Sequence, residues 1–188
     1  MSSCIAATAN VSRHATTDWQ PNIDRFRAIF IIMAKWCEQY DRMERWYDRF
    51  RTIDSGRAHD VSSDNYVDEI YAFFLNCYHL KDWIKNDTSL SDAVRSAVEH
   101  FIDSKRSLRL CADVCNGLKH LQLKSDRSGE KPKFGKKQFG VGLGAGVPTT
   151  ISVKCEITTE TGTVDAFQLA TEALESWKKF MMQHSLRH

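Results

Sequence analysis

The sequence predicts a mainly α protein: an up-down helical bundle with a small antiparallel β-sheet and a closing C-terminal helix. Three observations lead there. Phe26, Ile29, Met33, Trp36, Tyr40, Met43, Tyr47 and Phe50 alternate spacings of three and four, so every a and d position over four heptads is apolar or aromatic. Ile151, Val153, Cys155 and Ile157 alternate with Ser152, Lys154, Glu156 and Thr158, the two-residue period of a half-buried strand. The stretches joining consecutive helical segments are short, which favours antiparallel neighbours.

In chain order, residues 1–17 are rich in Ser, Thr and Ala without periodicity and read as a flexible tail. Residues 18–188 read as one domain: a four-helix bundle over 18–122, a basic Gly-rich loop and β-hairpin over 123–164, and the closing helix over 165–188. Pro21 suits a first helical turn, and the heptad stripe predicts one continuous helix of about 30 residues through Phe50. Its aromatics exceed what one core is expected to bury, so a homodimer contact through Trp36, Tyr40, Met43 or Trp46 is expected. Gly56 and the polar run DSGRAHDVSS close that helix. A second helix over about 63–85 carries Tyr66, Ile70, Phe73, Cys77, Leu80 and Ile84 on one face. Ser89, with Asp92 three residues on, predicts the start of a third helix over about 89–103. After a break at Ser104–Ser107, a fourth runs to near Leu121 with Leu108, Cys111, Cys115 and Leu118 inward. Thr161-Gly162 turns the chain out of the strand, and Asp165 with Gln168 caps the last helix. Phe167, Ala170, Leu174, Trp177 and Met181 form its stripe.

Composition narrows the function classes. The 188 residues carry 26 Lys and Arg against 24 Asp and Glu, a formal +2, so no global field points to nucleic acid or to a membrane. The longest apolar run, Ala28–Ala34, falls far short of the roughly 20 residues of a membrane span. The N-terminus lacks the basic region of a secretory signal. A cytoplasmic protein with no membrane partner is expected. Six cysteines include no C-x-x-C pair, and structural zinc wants four ligands, so neither metal nor cofactor is expected.

Candidate chemistry gathers in two places. From Lys119 to Lys137, seven basic residues (Lys119, Lys124, Arg127, Lys131, Lys133, Lys136, Lys137) face two acids, Asp126 and Glu130, a local +5. Such a segment suits a phosphate backbone, and Phe134 and Phe139 suit base stacking, which makes RNA a candidate partner. The glycines at 140–146 do not form a phosphate loop, because a strand rather than a helix follows them. Separately, His79 and Asp82 stand at i, i+3 on the second helix, with Asn76 a turn before. Asn116 and His120 stand at i, i+4 on the fourth, with Arg109 and Asp113 earlier on the same stripe. An imidazole, with an ordinary pKa near 6.5, exchanges protons at neutral pH, and a neighbouring carboxylate or amide fixes its tautomer. In an up-down bundle the second and fourth helices run parallel, so the two segments are expected at one end, beside the basic loop.

A helical bundle with a polar residue and a His one turn apart late in a core helix resembles the HEPN superfamily (higher eukaryote and prokaryote nucleotide-binding domains). Its signature is an Arg, commonly followed by a polar residue, then four to six residues and a His. Asn116 and His120 match the polar residue and the His, while Cys115 stands where the Arg belongs and Arg109 lies eleven residues before His120. The resemblance spans about residues 21–122 and implies a divergent member of a group that includes bacterial toxins, phage-defence components and RNA-processing nucleases, usually dimeric. Three classes stay open. One is a metal-independent ribonuclease with His120 as acid or base and Lys119 offsetting phosphate charge. Another is an RNA-binding or nucleotide-binding module that does not cleave. The third is an interaction or dimerisation module, such as a toxin–antitoxin or defence partner, whose polar stripe only fixes packing. A transition-metal site from His79, Asp82 and His120 is a less favoured fourth.

Overall fold

A computed structural model of the chain describes residues 34–59, 62–120 and 125–186. Of these residues 62% are helical, in five helices accompanied by a four-stranded antiparallel sheet, so the chain is mainly α as the periodicities predict. Helices α1 (Lys35–Ser55), α2 (Ser63–Asn86), α3 (Asp92–Ser104) and α4 (Arg106–His120) come first, with the two-residue strand β1 (Arg57–Ala58) after α1. Strands β2 (Lys133–Gly144), β3 (Val147–Thr159) and β4 (Gly162–Asp165) follow, and α5 (Ala166–Gln183) closes the chain. Residues 34–188 belong to one compact unit. The tail expected over 1–17 and the domain start expected at 18 lie outside the described residues.

Helix α2 is the hub and touches each of the other four helices. Its buried residues are the predicted stripe (Tyr66, Ile70, Phe73, Cys77, Leu80, Ile84) widened by Val67 and Phe74. The extra width lets one helix face several partners. Phe50 of α1 packs edge-on or tilted against Phe73 and Phe74, with ring centroids 6.3 Å apart in each case, and Trp177 of α5 donates its Nε1–H to the Cys77 carbonyl at 3.1 Å.

The first helix is shorter than its heptads predict. Ala34 has left helical geometry (φ −53°, ψ 130°), so α1 begins at Lys35, and Phe26, Ile29 and Met33 lie outside the described residues. Ala34 has no side chain able to cap the helix, and a distant one replaces it. The buried Asp87, in the turn after α2, accepts the Trp36 amide at 3.0 Å through Oδ2 and the Ser89 amide and hydroxyl at 2.9 and 2.6 Å through Oδ1. A carboxylate at this position also meets the positive end of the helix dipole. Burial alone would raise the Asp87 pKa, but hydrogen bonds from Ser89, Trp36 and Lys35 hold it below its ordinary value.

Two more expectations change here. Trp36, Tyr40 and Met43 lie in the core, so three of the four side chains expected at a homodimer contact are used by packing within one chain. The fourth, Trp46, is half-buried, with the Arg49 guanidinium 4.7 Å from its ring centroid. The third helix starts at Asp92 rather than near Ser89. Ser89 is engaged by Asp87, and Ser91 caps α3 by accepting the Val94 amide at 3.4 Å.

β3 is the middle of the sheet, with β2 on one side and β1 and β4 on the other. Its Val153, Cys155 and Ile157 are buried, as the alternation predicts. β1 comes from the linker that reads as a polar loop. Gly56 takes φ +97° to turn the chain out of α1, a conformation that favours glycine. Arg57 then pairs with Ile151 in the ladder and clasps Glu69 of α2 with two bonds of 2.8 and 2.9 Å. At the far end, Asp165 accepts the Gln168 amide at 2.8 Å and caps α5 as predicted. Because Asp87 is the cap of α1, Asp87→Ala should lower unfolding stability by about 1–2 kcal/mol, read from urea denaturation. Ser89→Ala, which leaves the amide bonds to Asp87 in place, should cost less.

Candidate functional site

Helices α2 and α4 run parallel. The two helices pack on each other, the Cys77 and Cys111 thiols neighbour one another across the contact, and a turn later the charges of Lys81 and Asp82 reach Cys115. Burial pushes the Cys115 thiol up to about 11, with Lys119 pulling in the other direction. His79 and Asp82 on α2, and Asn116, Lys119 and His120 on α4, therefore lie toward one end of the bundle, as the topology predicts. At that end a hollow of about 230 Å³ is lined by Lys35, Asp82, Trp83, Asn86 and Asp87. The Arg42 guanidinium lies 5.4 Å from the Trp83 ring centroid. His79 Nδ1 stands 3.5 Å from Asp82 Oδ2, and Lys81 Nζ donates to Asp82 Oδ1 at 2.6 Å.

The four expected catalytic residues are not assembled into one constellation. His120 is exposed, and among the described residues no hydrogen bond or ion pair joins it to His79, Asp82 or Asn116. It stands five residues beyond Cys115, about 7.5 Å further along the axis. Asn116 is half-buried. Asn76 has a structural task, donating to the Ala72 carbonyl at 2.7 Å and accepting from Gln39 Nε2 at 3.1 Å. Among the described residues no group of three His, Cys, Asp or Glu is placed to hold a metal ion, which removes the His79–Asp82–His120 metal option.

The basic segment does not lie over this end. Asp113, fully buried on α4, accepts the backbone amides of Arg127 and Ser128 at 2.8 and 2.7 Å. The chain is thereby drawn back along α4 toward its first residue, Arg106, whose guanidinium holds Glu130 with two bonds of 2.7 and 2.6 Å. Arg127 is spent on Glu99 and Asp103, and Lys131 on Glu160. Phe134 packs on Tyr71 and Phe74 at 4.5 and 5.6 Å between centroids, so it belongs to the core rather than to base stacking. Lys137 lies over Tyr71 at 5.2 Å. Tyr71 precedes Asp82 by eleven residues, about 16 Å along α2. Lys133 and Lys136 are exposed on β2 and do not line the hollow, Lys119 is exposed on α4, and Lys124 lies outside the described residues.

Two residues of this region, Lys35 and Trp83, and the loop-anchoring role of Asp113 are not part of the sequence-based expectation. Lys35 and Trp83 sit on faces that carry no motif. Asp113 had a usable signal: it interrupts the apolar run LCADVC, which marks an acid that needs buried partners. Burial and the adjacent Asp126 carboxyl raise its pKa. Burial works against ionisation at Asp126 as well, but a proton shared with Asp113 and bonds from Lys131, Ser128 and Gly129 pull it down to about 2.

Acid should loosen this clasp. Burial works against the Glu99 carboxylate, yet Lys85 and Arg127 hold its pKa at about 2. A carboxyl lowered in the folded chain contributes stability above its unfolded pKa, near 4, and loses it as pH falls through the folded value. Glu99 and Asp126 thus predict a urea midpoint that declines between about pH 5 and pH 2, with a shallower decline in Glu99→Gln. Asp113 has the opposite sign, its contribution fading as pH rises through its raised folded value. Asp113→Asn, which keeps a donor toward Asp126 and an acceptor for the loop amides, should therefore be milder at neutral pH than Asp113→Ala.

Comparison with known family models, with curated proteins and with solved structures found no match to this chain.

Proposed function

We propose that the end of the bundle where α2 and α4 finish is a contact surface for single-stranded RNA. The hollow over Trp83 carries this reading. A half-buried indole with an Arg on its ring offers a stacking platform, and such stacking contributes about 1–3 kcal/mol per base. At about 230 Å³ the hollow is smaller than the roughly 300–1,000 Å³ of pockets that enclose a whole small molecule. It suits one base, with the sugar and phosphates outside. Lys35 on its wall and Lys119 on the neighbouring helix are both exposed and can face phosphates. The HEPN resemblance points to the same ligand class.

The arrangement supports binding more than cleavage. His79, oriented by Asp82, is the imidazole with a carboxylate partner at this end. His120 occupies the position of the family His but lacks an orienting partner among the described residues, and Cys115 stands in place of the Arg. A non-catalytic interaction module is the second reading, favoured by the bare apolar face of the β2–β3 hairpin.

Fluorescence anisotropy with a labelled single-stranded RNA tests the proposal. Wild type should bind at low salt, and Lys35→Glu combined with Lys119→Glu should weaken binding at least about tenfold and reduce the salt slope by about 1.4. Trp83→Leu should weaken binding without changing that slope. Absence of binding at low salt would sink the reading. His120→Ala should leave stability within about 0.5 kcal/mol of wild type, because the side chain is exposed and unpartnered among the described residues. Cleavage products that vanish in His120→Ala would add catalysis to the proposal, and an intact RNA pool would leave binding alone.

A further inference from the structure

Four of the five exposed large hydrophobic side chains among the described residues sit on one hairpin. Phe139, Val141 and Leu143 of β2 are 49%, 60% and 81% exposed, and Val147 opens β3. The register explains why. Phe139 faces Val153 and Val141 faces Ile151, so these side chains share the sheet face that buries Val153, Cys155 and Ile157 nearer the body. The apolar face runs past the helices and ends uncovered. On the opposite face, a Cβ at Gly140 or Gly142 would run into the hydroxyl of Ser152 or Thr150, so glycine lets β3 side chains lie across β2.

The edge of β2 is open as well. β2 pairs with β3 on one side, and no other described strand pairs with it. Lys133, Lys136 and Lys137 guard its first half, a common protection of strand edges. The second half has none. The ladder is regular from Lys137 to Gly142, between irregularities at Phe134/Lys137 and Gly142/Gly144, and Gln138–Gly142 carries no charge. An exposed edge with an apolar stripe is a template for another strand.

We propose that Gln138–Gly142 pairs antiparallel with the same segment of a second copy, about a two-fold axis at Gly140. Charge placement selects this occupant and this register. With the axis at Gly140, Lys137 stands opposite Leu143 of the second copy and Lys136 opposite Gly144. A parallel arrangement, or a slip toward the lysines, sets lysine against lysine, and no acid between Pro132 and Cys155 is present to relieve it. The pairing joins Phe139 to Val141 across the axis on the apolar face and closes as a dimer. The contact is independent of the RNA reading, since the hairpin lies at the other end of α2 from the hollow.

The five-residue ladder brings Phe139 and Val141 of each copy, with Leu143 just beyond it, into a contact at the small end of specific interfaces, below about 1,200 Å², so the dimer is expected to be reversible in the micromolar range. Sedimentation equilibrium of the full chain from about 1 to about 300 μM spans that range. The mass should rise from one chain to two, and alternate amides of Gln138–Gly142 should gain hydrogen-exchange protection as it does. Val141→Lys with Leu143→Lys, both at exposed positions, should remain at one chain's mass with an unchanged circular-dichroism spectrum. Leu143→Glu alone, facing Lys137 across the axis, should retain or tighten the dimer. A single-chain mass throughout, a mass that grows past two chains, or a dimer that survives the double lysine variant would each overturn the proposal.

Discussion

The fold depends on covering one helix. α2 carries eight buried side chains over 24 residues, too wide a stripe for a single neighbour to hide. Fully burying a large apolar side chain contributes about 1.5–3 kcal/mol, so leaving any sector of α2 in water carries a large cost. α1, α3, α4 and α5 each take a sector. α5, last in sequence, has to return to a helix laid down a hundred residues earlier, and the Trp177 bond to the Cys77 carbonyl marks where it docks. The hairpin covers the sector left open near Tyr71 and Phe74 through Phe134. Once α2 is central, the parallel course of α2 and α4 follows from short connections on either side of α3.

Two buried carboxylates then determine what the helices alone leave open. Asp87 and Asp113 are 4% and 0% exposed, and each directs its oxygens at backbone amides of another segment. A buried acid without partners would be costly, and amide donors at close range remove that cost. Asp87 thereby sets where α1 starts, and Asp113 sets where the chain goes after α4. The second choice matters most for function. By pulling Arg127 and Ser128 back along α4, it carries the lysines of β2 away from His79 and Asp82.

The result is two separated surfaces. The end of α2 and α4 offers a small hollow, an indole, exposed cations and a His–carboxylate contact. The other offers a long hairpin whose apolar face and strand edge outrun the body. A chain with a formal charge of only +2 can still present local fields of this kind, because some charges are neutralised, as Arg127 is by Glu99 and Asp103, while Lys35, Lys119, Lys133 and Lys136 stand exposed. On the two proposals made above, recognition and association would fall on different elements, so changes in one need not disturb the other.

The elements were legible in the sequence because they rest on local periodicity. The stripes of α2 and α5, the alternation in β3 and the Asp165 cap each follow from side chains a few residues apart, and so does the meeting of His79 with Asp82 at i, i+3. Parallel placement of α2 and α4 followed from connection lengths. The start of α1 was not legible, because the heptads continue through Met33 and Trp36 while the cap comes from Asp87, 51 residues away. The neutralised charges of Arg127 and Lys131 were hidden for the same reason, their acids lying on α3 and in the turn before β4. Trp36 and Phe134 could be read as surface or core until their neighbours were known. Local pattern determines which residues share a face. Which faces meet is decided by long-range packing and by where buried polar groups find partners, and that information exists only in the folded chain.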